Sequence, residues 1–355
     1  MSGDFTADLP SDSGIRRILV MRWSAMGDVA LASCAFQDIF DAFPRADIHL
    51  NTLAPWDRLF IEDPRFKKII CMDLRGKMQG IPGMFRWLRE IGGGGYDAVF
   101  DLQSNDRSRI LMSLLRFTGR APRYRVGNHR RWPYNVAPPP QPKPVHALDH
   151  LRATLDAGGV PTLTRTPVLH PPRRNRERAL KLLKQHALGL QDYGIFLPGC
   201  QAAGYLKRWG ARRFIALAMG LERRGLGRVL LLGADEDAEE CREIELALNG
   251  FAINLCGSTE LLDIVPLAEG ARVIVANDTG TAHVASAAGR PMVVVCGPTD
   301  PRRVKPAGEM VSALQSGLYC INCYLKHCSH HSCMMLVTPE QVLDCLRDLG
   351  AFEAR

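Results

Sequence analysis

Apolar positions in this chain come in short runs separated by amphipathic stretches. The first run, Arg17-Ile-Leu-Val-Met-Arg22, is followed by a turn of small residues and then by apolar positions at helical spacing from 29 to 40, which predicts strand, loop and helix. The rhythm repeats with strands near 47–51, 68–72 and 98–101 and helical segments around 55–61, 84–91 and 108–117. Alternation of this kind predicts a parallel sheet covered by helices on both faces.

Past Arg131 the chain turns proline-rich at Ala137-Pro-Pro-Pro-Gln-Pro-Lys-Pro144, which can continue neither a helix nor a central strand, so a long loop is expected there. Helical pattern resumes over 146–157, and a second stretch, Thr166-Pro-Val-Leu-His-Pro-Pro172, predicts a hinge with the domain boundary near residue 165. The second half restarts the rhythm, with strands at 193–197, 228–232, 252–255, 272–276 and 292–295. Crossover helices are expected near 214–223, 237–248, 261–268 and 282–288, and a last helix over 339–349. The expected fold class is α/β, with two doubly wound Rossmann-like lobes, 1–165 and 166–355, facing a central cleft.

A chain of 355 residues, 46% hydrophobic and 23% charged and without internal repeats, suits two globular domains. The polar, acidic stretch from Met1 to Gly14 lacks the basic start and apolar run of a secretory signal, and no apolar run is long enough to span a bilayer. A cytoplasmic protein with at most peripheral membrane contact is expected. The net charge of +8 suggests an anionic partner: nucleic acid, an acidic lipid surface or a phosphorylated small molecule. Arg107, Arg109, Arg116, Arg120, Arg123, Arg125, Arg130 and Arg131 share one segment with a single acid, Asp106, and form either an anion-binding surface or a solvated face. Eleven cysteines in a chain that is not exported point to metal or redox chemistry before disulfides.

In such sheets ligands bind where strand ends lead into helix starts, and four such loops carry suitable side chains. After the first strand, Trp23-Ser-Ala-Met-Gly-Asp28 puts an acid at the mouth of a helix, either as a first-turn acid that stabilises it or as a group presented to the cleft. The loop from Pro198 to Trp209 carries Lys207, which can reach a leaving phosphate or serve as a plain surface charge, while Trp209 is expected in the core. Asp235-Glu-Asp237 spells the D-x-D pair of metal-using sugar transferases. It follows a strand of the second half, however, where an acid bonds ribose hydroxyls, so Asp235 or Glu236 is the ribose candidate. In Ala276-Asn-Asp-Thr-Gly-Thr-Ala-His283 a buried strand opens into a helix of small residues. Its free N–H groups suit a phosphate or pyrophosphate, with His283 as a further donor; the alternative is a cap at Asp278 and a structural histidine. Neither G-x-G-x-x-G after the first strand nor G-x-x-x-x-G-K-[ST] occurs, which weakens dehydrogenase and P-loop readings.

Taken together, Ser24-Ala-Met-Gly-Asp28, Lys207-Arg-Trp209 and Asp278-Thr-Gly-Thr-Ala-His283 resemble the lipopolysaccharide heptosyltransferases, glycosyltransferase family 9 of the ADP-heptose type. The similarity spans most of the chain and takes in Tyr96-Asp-Ala-Val-Phe-Asp-Leu-Gln103 and Gly297-Pro-Thr-Asp-Pro301. It implies a GT-B fold, an N-terminal lobe for a phosphorylated lipopolysaccharide-core acceptor and a C-terminal lobe for a nucleotide-sugar donor, typically ADP-heptose. It further implies an inverting, metal-independent reaction with Asp28 as general base and Lys207 beside the donor sugar and phosphate. Thr279, Gly280 and His283 would hold the pyrophosphate and Asp278 the sugar hydroxyls. Ser24, Gly27, Arg107, Arg109 and Arg125 would make up the acceptor side, at the cytoplasmic face of the inner membrane. The chain departs from the family at Ala202 and Ala203, where some members carry hydroxyls, at Gly210, where proline often follows the tryptophan, and at Trp23, where a smaller residue is common.

Near the C-terminus Cys320-Ile-Asn-Cys323, Cys328 and Cys333 have the spacing of four thiolates that can close a structural zinc or iron site, similar to clusters that occur in the family. Reduced cysteines without metal are the alternative. Three rival functions stay open: a same-fold heptosyltransferase acting on a protein such as an autotransporter, a nucleic-acid-binding protein using segment 107–131, and a metal-using oxidoreductase built on the cysteines. Few aromatics around the arginines argue against single-strand stacking, so nucleic acid is the less expected partner.

Overall fold

The computed structural model describes residues 5–72, 80–200 and 202–353. The first four residues of the acidic N-terminal stretch and Gln201 of the Lys207 loop lie outside the described residues. Two compact units, Met1–His170 and Pro171–Arg355, meet inside the second proline-containing stretch.

The first unit runs β1 (Arg17–Met21), α1 (Met26–Ala42), β2 (Asp47–Leu53), a 3-10 turn (Trp56–Phe60), β3 (Lys68–Met72), α2 (Gly80–Gly92), β4 (Ala98–Asp101), α3 (Asp106–Phe117), β5 (Tyr124–Val126) and α4 (Ala147–Ala157). Its sheet is parallel in the order β3-β2-β1-β4-β5. β1 is central, and Ile18, Leu19, Val20 and Met21 are fully buried, which is why it reads as an unbroken apolar run. The chain leaves β1 toward β2 but leaves β4 toward β5, so the order reverses between paired neighbours whose ends are Met21 and Asp101. The loops after these two strands therefore diverge and open a crevice at their carboxyl ends.

The second unit comprises α5 (Arg173–Gln185), β6 (Tyr193–Leu197), a 3-10 turn (Ala202–Lys207), α6 (Ala211–Glu222), β7 (Arg228–Leu231), a 3-10 turn (Asp235–Asp237), α7 (Ala238–Ala247), β8 (Ala252–Asn254), α8 (Ile264–Gly270), β9 (Val273–Asn277), α9 (Gly280–Ser286), β10 (Met292–Cys296), α10 (Pro301–Val304), β11 (Val311–Gln315), α11 (Ser332–Met335) and α12 (Pro339–Asp348). Its parallel sheet has the order β11-β10-β9-β6-β7-β8, and here the switch lies between β6 and β9. Phe196, Trp209, Phe214, Val275 and Val295 build the core on one face, closed by Val342 and Leu346 of α12.

Five elements go beyond the sequence pattern: α5, β5, β11 and the one-turn helices α10 and α11. α5 buries only Asn175, Ala179 and Leu183, a stripe at fourfold spacing hidden among arginines and lysines. β5 is three residues long with an arginine at its centre, and β11 is an edge strand with only Val311 buried. Among the described residues no helix is long and apolar enough to cross a membrane.

Candidate active site

In the first unit Asp28 sits in the first turn of α1 and accepts the backbone N–H of Ala25 at 3.2 Å, so it does serve the helix start. Its carboxylate also faces Arg22, whose Nη2 lies 3.3 Å from Asp28 Oδ1, and it keeps about half of its side-chain surface exposed at 46%. Arg22 is nearly buried; its Nη1 donates to the Leu102 carbonyl, and burial holds its pKa below the usual guanidinium range. Gln103 Oε1 accepts the backbone N–H groups of Trp23 at 2.9 Å and Ser24 at 3.3 Å, which ties the loop after β1 to the loop after β4. Gly27 is buried in the turn, so Ser24, Gly27 and Asp28 are set by one network. Beneath it lies Asp101, fully buried, with Tyr134 donating to one oxygen and the backbone N–H groups of Gln103 and Ser104 to the other. Burial pushes the Asp101 carboxyl above its ordinary range, and these bonds counter the shift. Arg22 closes the first apolar run and Gln103 the segment from Tyr96, but neither is given a role by the sequence; their places at the ends of β1 and β4 are the available signal.

The expected acceptor arginines separate. Arg107 is exposed at the start of α3, and Arg109 pairs with Asp106 at 2.8 Å. Arg125 corrects the expectation: it is 8% exposed, and its donors go to the carbonyls of Pro133 (2.8 Å), Pro122 (2.7 Å) and Arg123 (3.1 Å). It latches the loop after β5 instead of facing a ligand. The scarcity of aromatics is corrected too, since Arg116 lies over Trp132 at 4.8 Å, Arg123 over Tyr124 at 4.8 Å and Arg130 over Phe5 at 5.8 Å.

In the second unit the loop after β6 is fastened to the end of β9 by Asn277. Its Nδ2 donates to the Pro198 carbonyl and its Oδ1 accepts the Trp209 N–H at 3.2 Å, while Trp209 buries its ring and donates to the Val337 carbonyl at 2.9 Å. This sets the 3-10 turn so that Lys207 Nζ meets Asp278 Oδ2 at 2.7 Å, and Thr299 Oγ1 donates to the same oxygen at 2.6 Å. Asp278 is buried, and a charge so placed has to be paired. Thr279 caps α9 by accepting the Ala282 N–H, Gly280 begins that helix and His283 is buried in its first turn. A cavity of about 350 Å3 adjoins Lys207 and Thr299 and is also lined by Pro298, Tyr324 and Lys326.

Asp235 and Glu236 are exposed at the end of β7, whereas Asp237 is buried. Asp237 and Glu240 both hold Arg208, at 2.7 Å in the case of Asp237, so only Lys207 of the Lys-Arg pair lines the cavity. Burial works against the Arg208 charge, and the bonds to Glu240 and Asp237 outweigh it and raise the pKa. Gly199 has no room for a side chain, since a Cβ there would stand 2.1 Å from the Asp237 carboxyl.

Cys320, Cys323, Cys328 and Cys333 are free thiols, and among the described residues no group of three or more His, Cys, Asp or Glu side chains is placed to hold a metal ion. The donor set as arranged does not fit the expected closed zinc or iron centre. Backbone N–H groups of His330 and His331 point at Cys328 and hold its thiol below the usual range, while burial raises that of Cys333. What the segment does supply is Tyr324 and Lys326 at the cavity wall, with Tyr324 Oη accepting the Asp300 N–H at 3.1 Å.

The model of the glycosyltransferase family 9 (heptosyltransferase) domain matches residues 84–334. Lipooligosaccharide heptosyltransferase 2 of Haemophilus influenzae is 27% identical over 353 residues, covering 94% of this chain and 99% of that protein. Among solved structures, a family 9 glycosyl transferase from Veillonella parvula superposes with a TM-score of 0.79 at 22% identity, over 97% of this chain and 98% of that one. The Escherichia coli ADP-heptose lipopolysaccharide heptosyltransferase II superposes with a TM-score of 0.70 at 24% identity, over 94% and 98%. The shared architecture is GT-B, with two Rossmann-like lobes.

Proposed function

The chain belongs to glycosyltransferase family 9, the heptosyltransferases, and is a glycosyltransferase; on that premise we propose that it moves a heptose from ADP-heptose to a phosphorylated lipopolysaccharide-core acceptor with inversion and without a catalytic metal. Asp28 takes the proton of the acceptor hydroxyl as its oxygen attacks the anomeric carbon, and the bond from that carbon to the diphosphate oxygen breaks with its electron pair on the leaving ADP. Arg22 is a positioning residue that holds the carboxylate. Ser24 and Gly27 shape the turn on the acceptor side, and Arg107 and Arg109 meet the acceptor's phosphates.

The observation that carries the donor side is the Lys207–Asp278–Thr299 cluster at the cavity. Asp278 Oδ2 holds Lys207 in place, leaving Oδ1 for a sugar hydroxyl. Charge gathering on the diphosphate is met by Lys207, by Lys326 and by the N–H groups at Thr279 and Gly280, with His283 behind them. Cations and N–H dipoles so arranged do the work a divalent ion does elsewhere. Asp235 and Glu236 take the ribose hydroxyls. In support, the solved structure from Escherichia coli is that of an ADP-heptose enzyme.

Calorimetric titration in the presence of EDTA with ADP and UDP, followed by a transfer assay with ADP-heptose and a truncated core glycolipid, tests the proposal. ADP preference and a product heavier by one heptose are expected. A preference for UDP would overturn the donor, and no transfer to any core glycolipid would overturn the acceptor.

A further inference from the structure

α2 and α3 link β3 to β4 and β4 to β5, which advance the same way across the sheet, so right-handed crossovers lay both helices on one face while α1 covers the other. Their inner sides share a core of Trp87, Ile91, Leu111, Met112 and Leu115. Their outer sides keep Ile81 (67% exposed), Phe85 (62%), Ile110 (58%) and Phe117 (78%) in solvent, and Trp132 (52%) lies beside Phe117 with ring centroids 5.9 Å apart. Ile81 and Phe85 are four residues apart and Ile110 and Phe117 seven, so each pair stands on one side of its helix. Exposed large side chains gathered in one helical layer mark an interaction surface.

The same layer is cationic. Arg86, Arg89, Arg116, Arg130 and Arg131 are exposed, and Arg116 lies over the Trp132 ring at 4.8 Å. The only carboxylates within the two helices, Glu90 and Asp106, are already paired with Lys68 at 3.0 Å and Arg109 at 2.8 Å. Aliphatic and aromatic side chains ringed by arginines suit a bilayer interface carrying anionic lipid, with the apolar groups entering the acyl boundary and the guanidinium groups at the phosphates. Nucleic acid would use the arginines but leave Ile81, Phe85 and Ile110 without a role.

We propose that the outer face of α2 and α3, with Trp132, docks this protein onto anionic membrane. The face is also placed to serve the reaction. α3 begins three residues past Gln103, which holds the Ser24 loop, and runs about 18 Å from there at 1.5 Å per residue. A lipid-borne acceptor reached along this helix arrives on the Asp28 side of the unit. The inference deepens the acceptor proposal above but is tested without donor or acceptor, so the two can fail separately.

The test is co-sedimentation of the full chain with phosphatidylcholine vesicles with and without phosphatidylglycerol. Wild type should sediment with the anionic vesicles, and Phe117→Ser/Trp132→Ser should weaken this at least tenfold with unchanged thermal unfolding. Arg116→Gln/Arg130→Gln/Arg131→Gln should remove the preference for phosphatidylglycerol. Wild type that stays in the supernatant, a serine variant that binds like wild type, or a duplex oligonucleotide that binds as tightly to wild type and serine variant alike would each overturn the proposal.

Discussion

Lys207 Nζ stands 2.7 Å from Asp278 Oδ2, although the two residues are 71 positions apart and lie on loops after different strands. A lysine held this way is oriented before the donor arrives, and its partner is buried enough that removing either leaves a charge poorly matched. Lys207→Met is expected to lower kcat by about 10²- to 10³-fold, the range for losing one preorganised donor to developing charge. Asp278→Asn should also impair transfer, and the double variant should lose much less than the product of the two. A double-mutant cycle on kcat/KM checks this; additive losses would mean the pair does not act as a unit.

Asp28→Asn should reduce kcat by about 10²- to 10⁴-fold, the usual worth of a positioned base, with ADP affinity unchanged. Arg22→Met tests the positioning role. It should lower kcat while leaving KM for the donor alone, and Arg22→Lys should recover part of the loss. A variant that only misfolds would lose both parameters and the thermal transition together.

Strand, turn and helix around Asp28, Lys207 and Asp278 were legible because each sits where an apolar run breaks into small residues. Their mutual distances were not. Asn277, which brings the Lys207 loop to β9, and Thr299, which shares Asp278 with Lys207, fall inside segments singled out in the sequence, but nothing in their spacing shows what they bond. Arg125 misled for a related reason: in sequence it is one of eight arginines, and only the carbonyls around it reveal a buried latch. Four cysteines at ligand-like spacing likewise said nothing of how their sulfurs are placed.

Tyr134 donates to the buried carboxyl of Asp101. Tyr134→Phe should therefore destabilise the first unit by about 1.5–3 kcal/mol near neutral pH, the worth of a hydrogen bond to a charged group. Asp101 already has a raised pKa from burial, and losing this bond raises it further, so the folded variant takes up its proton at higher pH. The stability lost should then shrink as the pH falls and Asp101 becomes neutral. Denaturant titrations of both proteins at acid and neutral pH measure it.

His49 Nδ1 lies 2.9 Å from Tyr96 Oη, and burial, helped by Arg17, lowers its pKa. A histidine whose pKa is lower folded than unfolded binds its proton first in the unfolded chain, so its contribution is present above about pH 6.5 and is lost as the pH falls toward the folded pKa. Between pH 7.5 and 5.5 the wild type should lose more of its thermal midpoint than His49→Gln does. Parallel slopes would show that other groups govern the acid limb.

Lys326 lies on the cysteine-rich segment and lines the cavity with Lys207, but unlike Lys207 it has no carboxylate partner among the described residues. Lys207 is already balanced by Asp278, so the charge of an arriving diphosphate falls to Lys326 and to the N–H groups after Asp278. Lys326→Met is expected to weaken ADP binding about tenfold, the 1.4 kcal/mol of one exposed-side contact to phosphate, and adenosine binding hardly at all. Because the contact is electrostatic, the salt dependence of ADP affinity should fall with it. If ADP and adenosine weaken together, the segment only supports the wall, and the added cation must come from elsewhere in the unit.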